Sequence, residues 1–411
     1  MFPWKEIAPM IVQQMLNILF SPFFLVVIGL ISLQFTRLNR LKEKMFNIKG
    51  EPIWQQVIQA TGLGFAGGLA GSFIMVVMGV SLNNIGIGYL WLLALALMFI
   101  NPRYLCFSYA GGIISLSYLL FGFPQVEVPQ LMGLVAVLHL VESLLIFSSG
   151  HLGALPVYAA SGHGPVVGAF NLQRFWPIPI IVMLVQPIPP GLEITDLISM
   201  PDWWPLIRSR YLGPDNDVVY TLLPVVAALG YGDLALTASP EDKSRWSASR
   251  LLLYSFILLA LAALASRQDW AMWLAALFGP LGHEYLILKG QQKEMEGKPL
   301  YLPPPKGAMI LDVLVGSPAA GMGLKSGDII WSINHYPINS KWDLAQVLAL
   351  EDPYLTVDYV RNGIMQRAQG PRPADRSFGV VLVPEPGDAP LVDFRAPSPL
   401  KRWWEKRRSG R

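Results

Sequence analysis

The chain is 411 residues long, 53% hydrophobic and only 14% charged, where ordinary soluble domains carry about a quarter charged residues. That deficit excludes a wholly soluble protein. The formal net charge of +3, with basic residues gathered at the ends of apolar segments, speaks against a nucleic-acid partner, and the single cysteine, Cys106, excludes a disulfide framework and a cysteine metal cluster.

No Asp, Glu, Lys or Arg occurs from Trp54 to Pro102, and uninterrupted apolar runs of about 20 residues are what a bilayer core demands. From about Lys289 the composition is that of a soluble domain. We expect an α-helical polytopic membrane domain over residues 1–290, with about eight or nine spans. A Pro-rich linker over 291–306 and a small α+β domain over 307–386 should follow, then a tail over 387–411 that is Pro-rich and finally basic.

In chain order, candidate spans lie near 11–35, 57–81, 84–101, 104–122, 129–148, 175–190, 218–237, 250–266 and 270–288. The first run ends in Phe35-Thr36-Arg37 without a small-residue cleavage site, and reads as an uncleaved span. The sixth holds Pro177, Pro179, Pro187, Pro189 and Pro190, and reads as a broken or re-entrant segment shielded by its neighbours. Arg37, Arg40, Lys42, Lys44 and Lys49 follow the first span, Lys243, Arg245 and Arg250 the seventh, and Lys289 and Lys293 the last. The positive-inside rule then places the C-terminal domain and the C-terminus in the cytoplasm and makes the chain a multi-pass protein of the plasma membrane. Gly62, Gly64, Gly67, Gly68 and Gly71, and later Gly111 and Gly112, form small-residue stripes that allow close backbone approach within the molecule or, as the second use, between copies in an oligomer.

Three polar features interrupt the apolar block. His139 and Glu142 share a helix face, and ionisable groups at membrane depth mark either an ion path or a hydrogen-bonded tie between helices. Gly230-Tyr231-Gly232-Asp233 matches the end of a potassium-filter signature but lacks the preceding Thr-Val, and reads instead as a glycine-broken helix end. His283-Glu284 opens a His-Glu-x-x-His motif whose second histidine position is Ile287, so a zinc protease lacks a ligand and His283 reads as part of a polar helix end. We accordingly expect no catalytic residues, no metal and no cofactor.

In the C-terminal domain, Gly307–Leu314 reads as a strand, and Ser317 and Pro318 open a short helix that ends at Gly321-Met322-Gly323. Ile329–Asn334 is a second strand, and Ser340 caps a helix to about Leu350 with Leu344, Val347 and Leu348 on one face. Tyr354–Val360 and Phe378–Val383 are further strands. Gly316-Ser317-Pro318-Ala319-Ala320, Gly323-Leu324, Ser326-Gly327-Asp328-Ile329-Ile330, Ile333-Asn334 and Asp343-Leu344 resemble, in order and spacing over about 80 residues, the bacterial PDZ domains attached to membrane proteases and scaffolds.

That resemblance implies a permuted PDZ fold, a partly open β-barrel with two helices, whose groove strand comes last and binds extended peptides by strand addition. It implies Phe378, Gly379 and Val380, after Ser377, as the carboxylate-binding loop and Leu344, Val347 and Leu348 as the pocket wall, although packing within the domain core explains the wall residues as well. The basic, Trp-containing end Lys401–Arg408 suits an anionic membrane surface or a solubilising tail.

The whole layout resembles the MinJ-like cell-division topology factors of Firmicutes. The supporting residues are Phe175-Trp176-Pro177-Ile178-Pro179, Trp203-Trp204-Pro205-Leu206, Gly230–Leu234 and Pro280-Leu281-Gly282-His283-Glu284 ahead of the PDZ-like run. The resemblance implies a non-enzymatic scaffold that recruits division-site or polar scaffold proteins through its PDZ groove, with the lipid bilayer as its other partner. Two alternatives remain open at this point. One is a relative of the site-2-type intramembrane metalloproteases with a degenerate motif, and the other is an ion- or proton-coupled transporter resting on His139, Glu142 and Asp233.

Overall fold

The computed structural model describes residues 1–46, 52–160, 166–188, 197–209, 218–350, 352–372 and 378–390. Ser377, Lys49 and the basic tail lie outside the described residues.

The N-terminal block opens with α1 (Trp4–Ile18) and α2 (Pro22–Phe46), so the apolar run expected as one span over 11–35 is two helices. Ser21 and Pro22 explain the break: the Phe24 N–H donates to the Ser21 hydroxyl at 3.2 Å, and proline suits the first helical position. Then come α3 (Ile53–Met78), α4 (Ile87–Ile100), a 3₁₀ turn at Pro102–Leu105, α5 (Phe107–Phe121) and α6 (Val128–Ser149). Strands β1 (Leu155–Ala160), β2 (Val166–Pro187) and β3 (Val218–Ala235) precede α7 (Pro240–Ala265) and α8 (Asp269–Glu296). Among the described residues, α2, α3, α6, α7 and α8 are the 5 helices long and apolar enough to cross a membrane, and α4 and α5 are shorter apolar helices.

The segments expected as the sixth and seventh spans are strands, not helices. They form a long antiparallel hairpin, with Val182 opposite Leu223 and Phe175 opposite Gly230, and β1 joins the other side of β2 over Leu155–Ala160. Gly230-Tyr231-Gly232-Asp233 therefore lies in a strand and is not a helix end.

The prolines explain the choice. Residues of one parity along a strand point their backbone groups to the same edge. Beyond Asn171, where β1 stops, the second edge of β2 faces α3 and the loop after it. Pro177 and Pro179 carry no donor to satisfy there, and their carbonyls lie over Gly64 and Gly68 of α3. Next along that edge, the Ile181 N–H donates to Ser72 Oγ at 2.8 Å. The Met183 carbonyl accepts the Leu82 N–H at 2.8 Å. Val185 donates its N–H to Asn83 Oδ1 at 2.7 Å and accepts from Asn83 Nδ2 at 2.8 Å. The small-residue stripe of α3 thus receives a strand as well as α6, where Gly67 meets Leu145 and Gly71 meets Val141. Gly112 of α5 makes a helix–helix contact, against Pro280 of α8.

The C-terminal domain contains β4 (Ala308–Val313), α9 (Pro318–Gly321), β5 (Ile329–Ile333), β6 (Tyr336–Pro337), α10 (Lys341–Ala349), β7 (Tyr354–Arg361), β8 (Ile364–Pro371) and β9 (Val380–Leu382). The sheet runs β8-β7-β5-β4-β9, with β6 paired to β5, and is not closed. Ser317 and Ser340 cap α9 and α10, accepting the Ala320 and Asp343 N–H groups at 3.2 and 3.0 Å. Buried Asp328 ties the start of β5 to the end of β7 through Arg361 at 2.6 Å and accepts the Lys325 N–H at 2.7 Å.

The segment expected as a plain spacer is pinned. Leu300 donates its N–H to Leu236 O at 2.8 Å, and Tyr301 O accepts the Gly168 N–H at 3.0 Å. Leu311, Val381 and Val383 pack into the same apolar cluster as Tyr158 and Phe170, and Lys42 at the end of α2 meets Asp312 at 3.3 Å. The small domain is therefore docked on the sheet of the helical block.

The glycine contacts give a matched pair of variants. A Cβ at Gly68 would lie 1.9 Å from the Pro179 carbonyl, whereas one at Gly62 meets nothing within 4 Å. Gly68→Ala should lower the thermal midpoint of the detergent-solubilised protein by an amount worth at least about 1–3 kcal/mol, with Gly62→Ala unchanged or slightly stabilised. Equal midpoints for the two would refute the close approach of α3 to β2.

Candidate functional site

Among the described residues β9 is the edge strand of the small domain, paired with β4 on one side only. The Gly379 carbonyl accepts the Leu314 N–H at 2.9 Å, and the Val383 N–H donates to Met309 O at 3.0 Å. Residues 379, 381 and 383 thus face β4, and the backbone groups of Val380 and Leu382 face the open edge. Gly379 has φ +82, and a Cβ there would lie 2.1 Å from the Ser317 Cβ, so no other residue fits this turn. Phe378 is buried in the domain core, with its carbonyl accepting the Ala319 N–H at 3.1 Å. Leu344, Val347 and Leu348 of α10 are buried in the same cluster as Phe378 and Leu382, and Val380 is packed at its margin. Five of the six groove residues expected from sequence thus belong to, or pack against, the core cluster of the small domain, and Gly379 sits in the turn that leads into β9.

One neighbour of that edge gives no sign in the sequence. The Tyr158 hydroxyl, from β1, donates to the outward-facing Leu382 carbonyl at 2.9 Å. The Lys341 ammonium lies 4.8 Å over the Tyr158 ring and pairs with Asp388. Burial is the largest single influence and opposes ionisation of both Lys341 and Asp388, but their hydrogen bond and mutual charge, joined by Tyr158 at the lysine and the Glu385 N–H at the aspartate, together outweigh it, so the lysine pKa is raised and the aspartate pKa lowered.

The polar residues singled out in the helical block fall into two separate sets. Asp233 meets Lys243 at 3.3 Å and accepts from Ser247 Oγ at 2.8 Å, while Lys243 meets Glu294 at 3.1 Å. This network ties β3 to the start of α7 and the end of α8. The second set joins α5, α6 and α8. His139 Nε2 lies 3.0 Å from Cys106 Sγ and its Nδ1 is 2.8 Å from the Val135 carbonyl. Both nitrogens are thus engaged away from Glu142, which is not its partner. His283 Nε2 lies 3.7 Å from the same sulfur, in the body of a helix that runs on to Glu296; the expectation of a helix end there is corrected. Glu284 accepts from Arg103 at 2.8 Å and from the Tyr109 hydroxyl at 2.6 Å. Cys106, read from sequence only as too few cysteines for a disulfide framework or a cysteine metal cluster, is the residue that sequence reasoning missed: positions 106, 139 and 283 have no spacing that marks them as neighbours.

Fold and site together define a polytopic membrane protein that carries a PDZ domain. A family model for the PDZ domain matches residues 288–369. The chain is 23% identical, over 82% of its length and 85% of the relative's, to the cell division topological determinant MinJ of Bacillus subtilis strain 168. Over 89 residues it is 36% identical to the periplasmic pH-dependent serine endoprotease DegQ of Escherichia coli K12, covering 20% of that protein. A solved PDZ domain of the SdrC-like protein from Listeria monocytogenes aligns at 17% identity, covering 19% of this chain and 90% of that one, with a TM-score of 0.17. The chain is thus MinJ-like over most of its length, with a PDZ domain at its C-terminal end.

The Lys341–Asp388 pair sets a pH expectation. A lowered carboxylate pKa contributes stability above its unfolded value that is lost as pH falls through the folded one. Hydrogen exchange in the first turn of α10, corrected for intrinsic rates, should be flat from about pH 5 to about pH 8 and rise only below about pH 4. A rise near neutral pH would show that the pair does not hold this turn.

Proposed function

We propose that the chain is a non-enzymatic membrane scaffold that recruits protein partners through its PDZ groove, in the placement of the cell-division site. The observation that carries this reading is the open β9 edge beside α10, entered through the left-handed turn at Gly379. An extended peptide adds to such an edge, its C-terminal carboxylate captured by the amides of the Phe378–Val380 turn and its side chains received by Leu344, Val347 and Leu348. The likeness to a cell division topological determinant supplies the process.

The cytoplasmic face is our placement for the PDZ domain and the C-terminus. Lys42, in the basic end of α2 that also holds Arg37, Arg40 and Lys44, meets Asp312 of the domain, and Lys289 and Lys293 lie in the last turns of α8. Positive charge thus collects on the side where the domain docks, as the positive-inside rule requires of a cytoplasmic face. The position one helical turn after His283 is Ile287, so the His-Glu protease motif lacks its second histidine, which supports the non-enzymatic reading.

Two measurements test this proposal. A fluorescent fusion of the full chain should gather at division sites, and Gly379→Trp should abolish that recruitment of partners while leaving the protein in the membrane; uniform membrane signal in dividing cells would count against it. Selection of C-terminal peptides on the purified chain should yield binders, and Tyr158→Phe should tighten them about fivefold by freeing the Leu382 carbonyl, the equivalent of about 1 kcal/mol for one hydrogen bond. Unchanged or weaker binding by the Phe variant would remove Tyr158 from the groove.

A further inference from the structure

Cys106, His139 and His283 bring one sulfur and two imidazole nitrogens within 4.8 Å of one another where α5, α6 and α8 meet, the one such group of three among the described residues. Cys106 caps the start of α5, while the two histidines come from the middles of α6 and α8.

The hydrogen bonds around the rings assign the protons. His139 Nδ1 faces the Val135 carbonyl, an obligate acceptor, at 2.8 Å, so Nδ1 carries the hydrogen and Nε2 presents a bare lone pair to Cys106. The Tyr109 hydroxyl gives its proton to Glu284 at 2.6 Å, and its oxygen then accepts from His283 Nδ1 at 3.3 Å. His283 Nε2 is likewise bare and faces the same sulfur. One thiol has one proton and cannot satisfy two lone pairs, that of buried His139 and that of half-buried His283. A metal ion, bound by the thiolate and both nitrogens, satisfies all three.

Distances agree with this. An ion with bonds of about 2.3 Å to sulfur and about 2.0 Å to nitrogen in tetrahedral geometry holds the two donors about 3.5 Å apart. The observed separations, 3.0 and 3.7 Å, bracket that value. A ligating histidine fixed through its other nitrogen by a carbonyl or a carboxylate chain is the usual outer arrangement of such centres. Here Val135 supplies one and Tyr109–Glu284–Arg103 the other.

We propose that Cys106, His139 and His283 form a binding site for a thiophilic closed-shell metal ion, Zn²⁺ or Cu⁺, that staples α5 to α6 and α8. One thiolate with two imidazoles suits either ion: Cu⁺ is complete with three ligands, and Zn²⁺ takes a fourth from solvent. The bound ion ties the start of α5 to the middles of α6 and α8. Tyr109 and Glu284 are positioning residues.

The test uses the full chain, purified in detergent through a tag that binds no metal, and titrated separately with Zn²⁺ and with Cu⁺. One equivalent of at least one of the two ions should be retained per chain, and Cys106→Ala, His139→Ala and His283→Ala should each weaken it by at least about 100-fold. Tyr109→Phe, which keeps the ring but frees His283 to rotate, should weaken it about 10-fold or more. Because Cys106 is the only cysteine, the Co²⁺-loaded wild type gives an independent reading: a thiolate-to-cobalt charge-transfer band in the near ultraviolet reports that residue alone. Failure of the wild type to hold either ion, absence of that band, or undiminished affinity in the three ligand variants would overturn the site and leave an ordinary thiol–imidazole hydrogen bond.

Discussion

The second edge of β2 is the constraint around which the helical block is arranged. A strand packed among apolar helices finds no water for its backbone, so every donor and acceptor on its free edge has to be met by protein or removed. Here Pro177 and Pro179 remove two donors, Ser72 and Asn83 supply side-chain partners for Ile181 and Val185, and the Leu82 amide meets the Met183 carbonyl. The glycines of α3 are the other half of the same solution, because only a helix without side chains at Gly64 and Gly68 lets the proline carbonyls come so near. Weak Cα–H···O contacts suit that spacing, but steric permission is the larger effect.

The same strand carries the small domain. Gly168 pairs with Tyr158 across the β1–β2 ladder and gives its N–H to Tyr301 on the way into the PDZ domain. A Cβ at Gly168 would meet Leu311 at 2.8 Å and Tyr301 at 2.9 Å, so the docking of the domain depends on a missing side chain in the helical block. The buried Lys243, shared by Asp233 and Glu294, fixes the end of α8 close by. A buried cation of this kind is costly to expose to apolar surroundings and is kept in place by both carboxylates, so the network specifies one arrangement more than it adds stability.

Much of this was legible in the sequence, and the failures have physical causes. The PDZ elements follow local rules: Ser317-Pro318 and Ser340 are helix starts, and Leu344, Val347 and Leu348 fall on one face of α10, so their positions could be read without tertiary information. Strand β8 escaped because Ile364–Pro371 is mostly exposed and its few apolar residues, Ile364, Met365 and Ala368, do not form an alternating pattern. The hairpin β2–β3 escaped for the opposite reason. β2 is buried on both faces and β3, though only half-buried, is almost as apolar, so each reads as a continuous apolar run that composition cannot tell from a span, and the prolines of β2 read as breaks in a helix when they were the signature of an edge. Cys106, His139 and His283 are brought together only by the packing of three helices, and no periodicity within one helix carries that information.

The rung through Tyr158, Gly168 and Tyr301 connects the groove to the block beneath it. The Leu382 carbonyl can accept the Tyr158 hydroxyl or pair with an added strand at its open edge, and what it gains from the second competes with what it has from the first. Tyr158 is not free to leave alone, since its ring also lies under the Lys341 ammonium that Asp388 holds at the start of α10. A peptide entering along β9 therefore meets a contact belonging to the helical block before it meets the pocket wall. In the proposed binding mode the coupling is reciprocal: as far as the Tyr158 contact and an added strand compete, each weakens the other by the same coupling free energy. The small domain is in this sense not a module hung on a linker, but one whose β9 edge already carries a contact from β1 of the helical block.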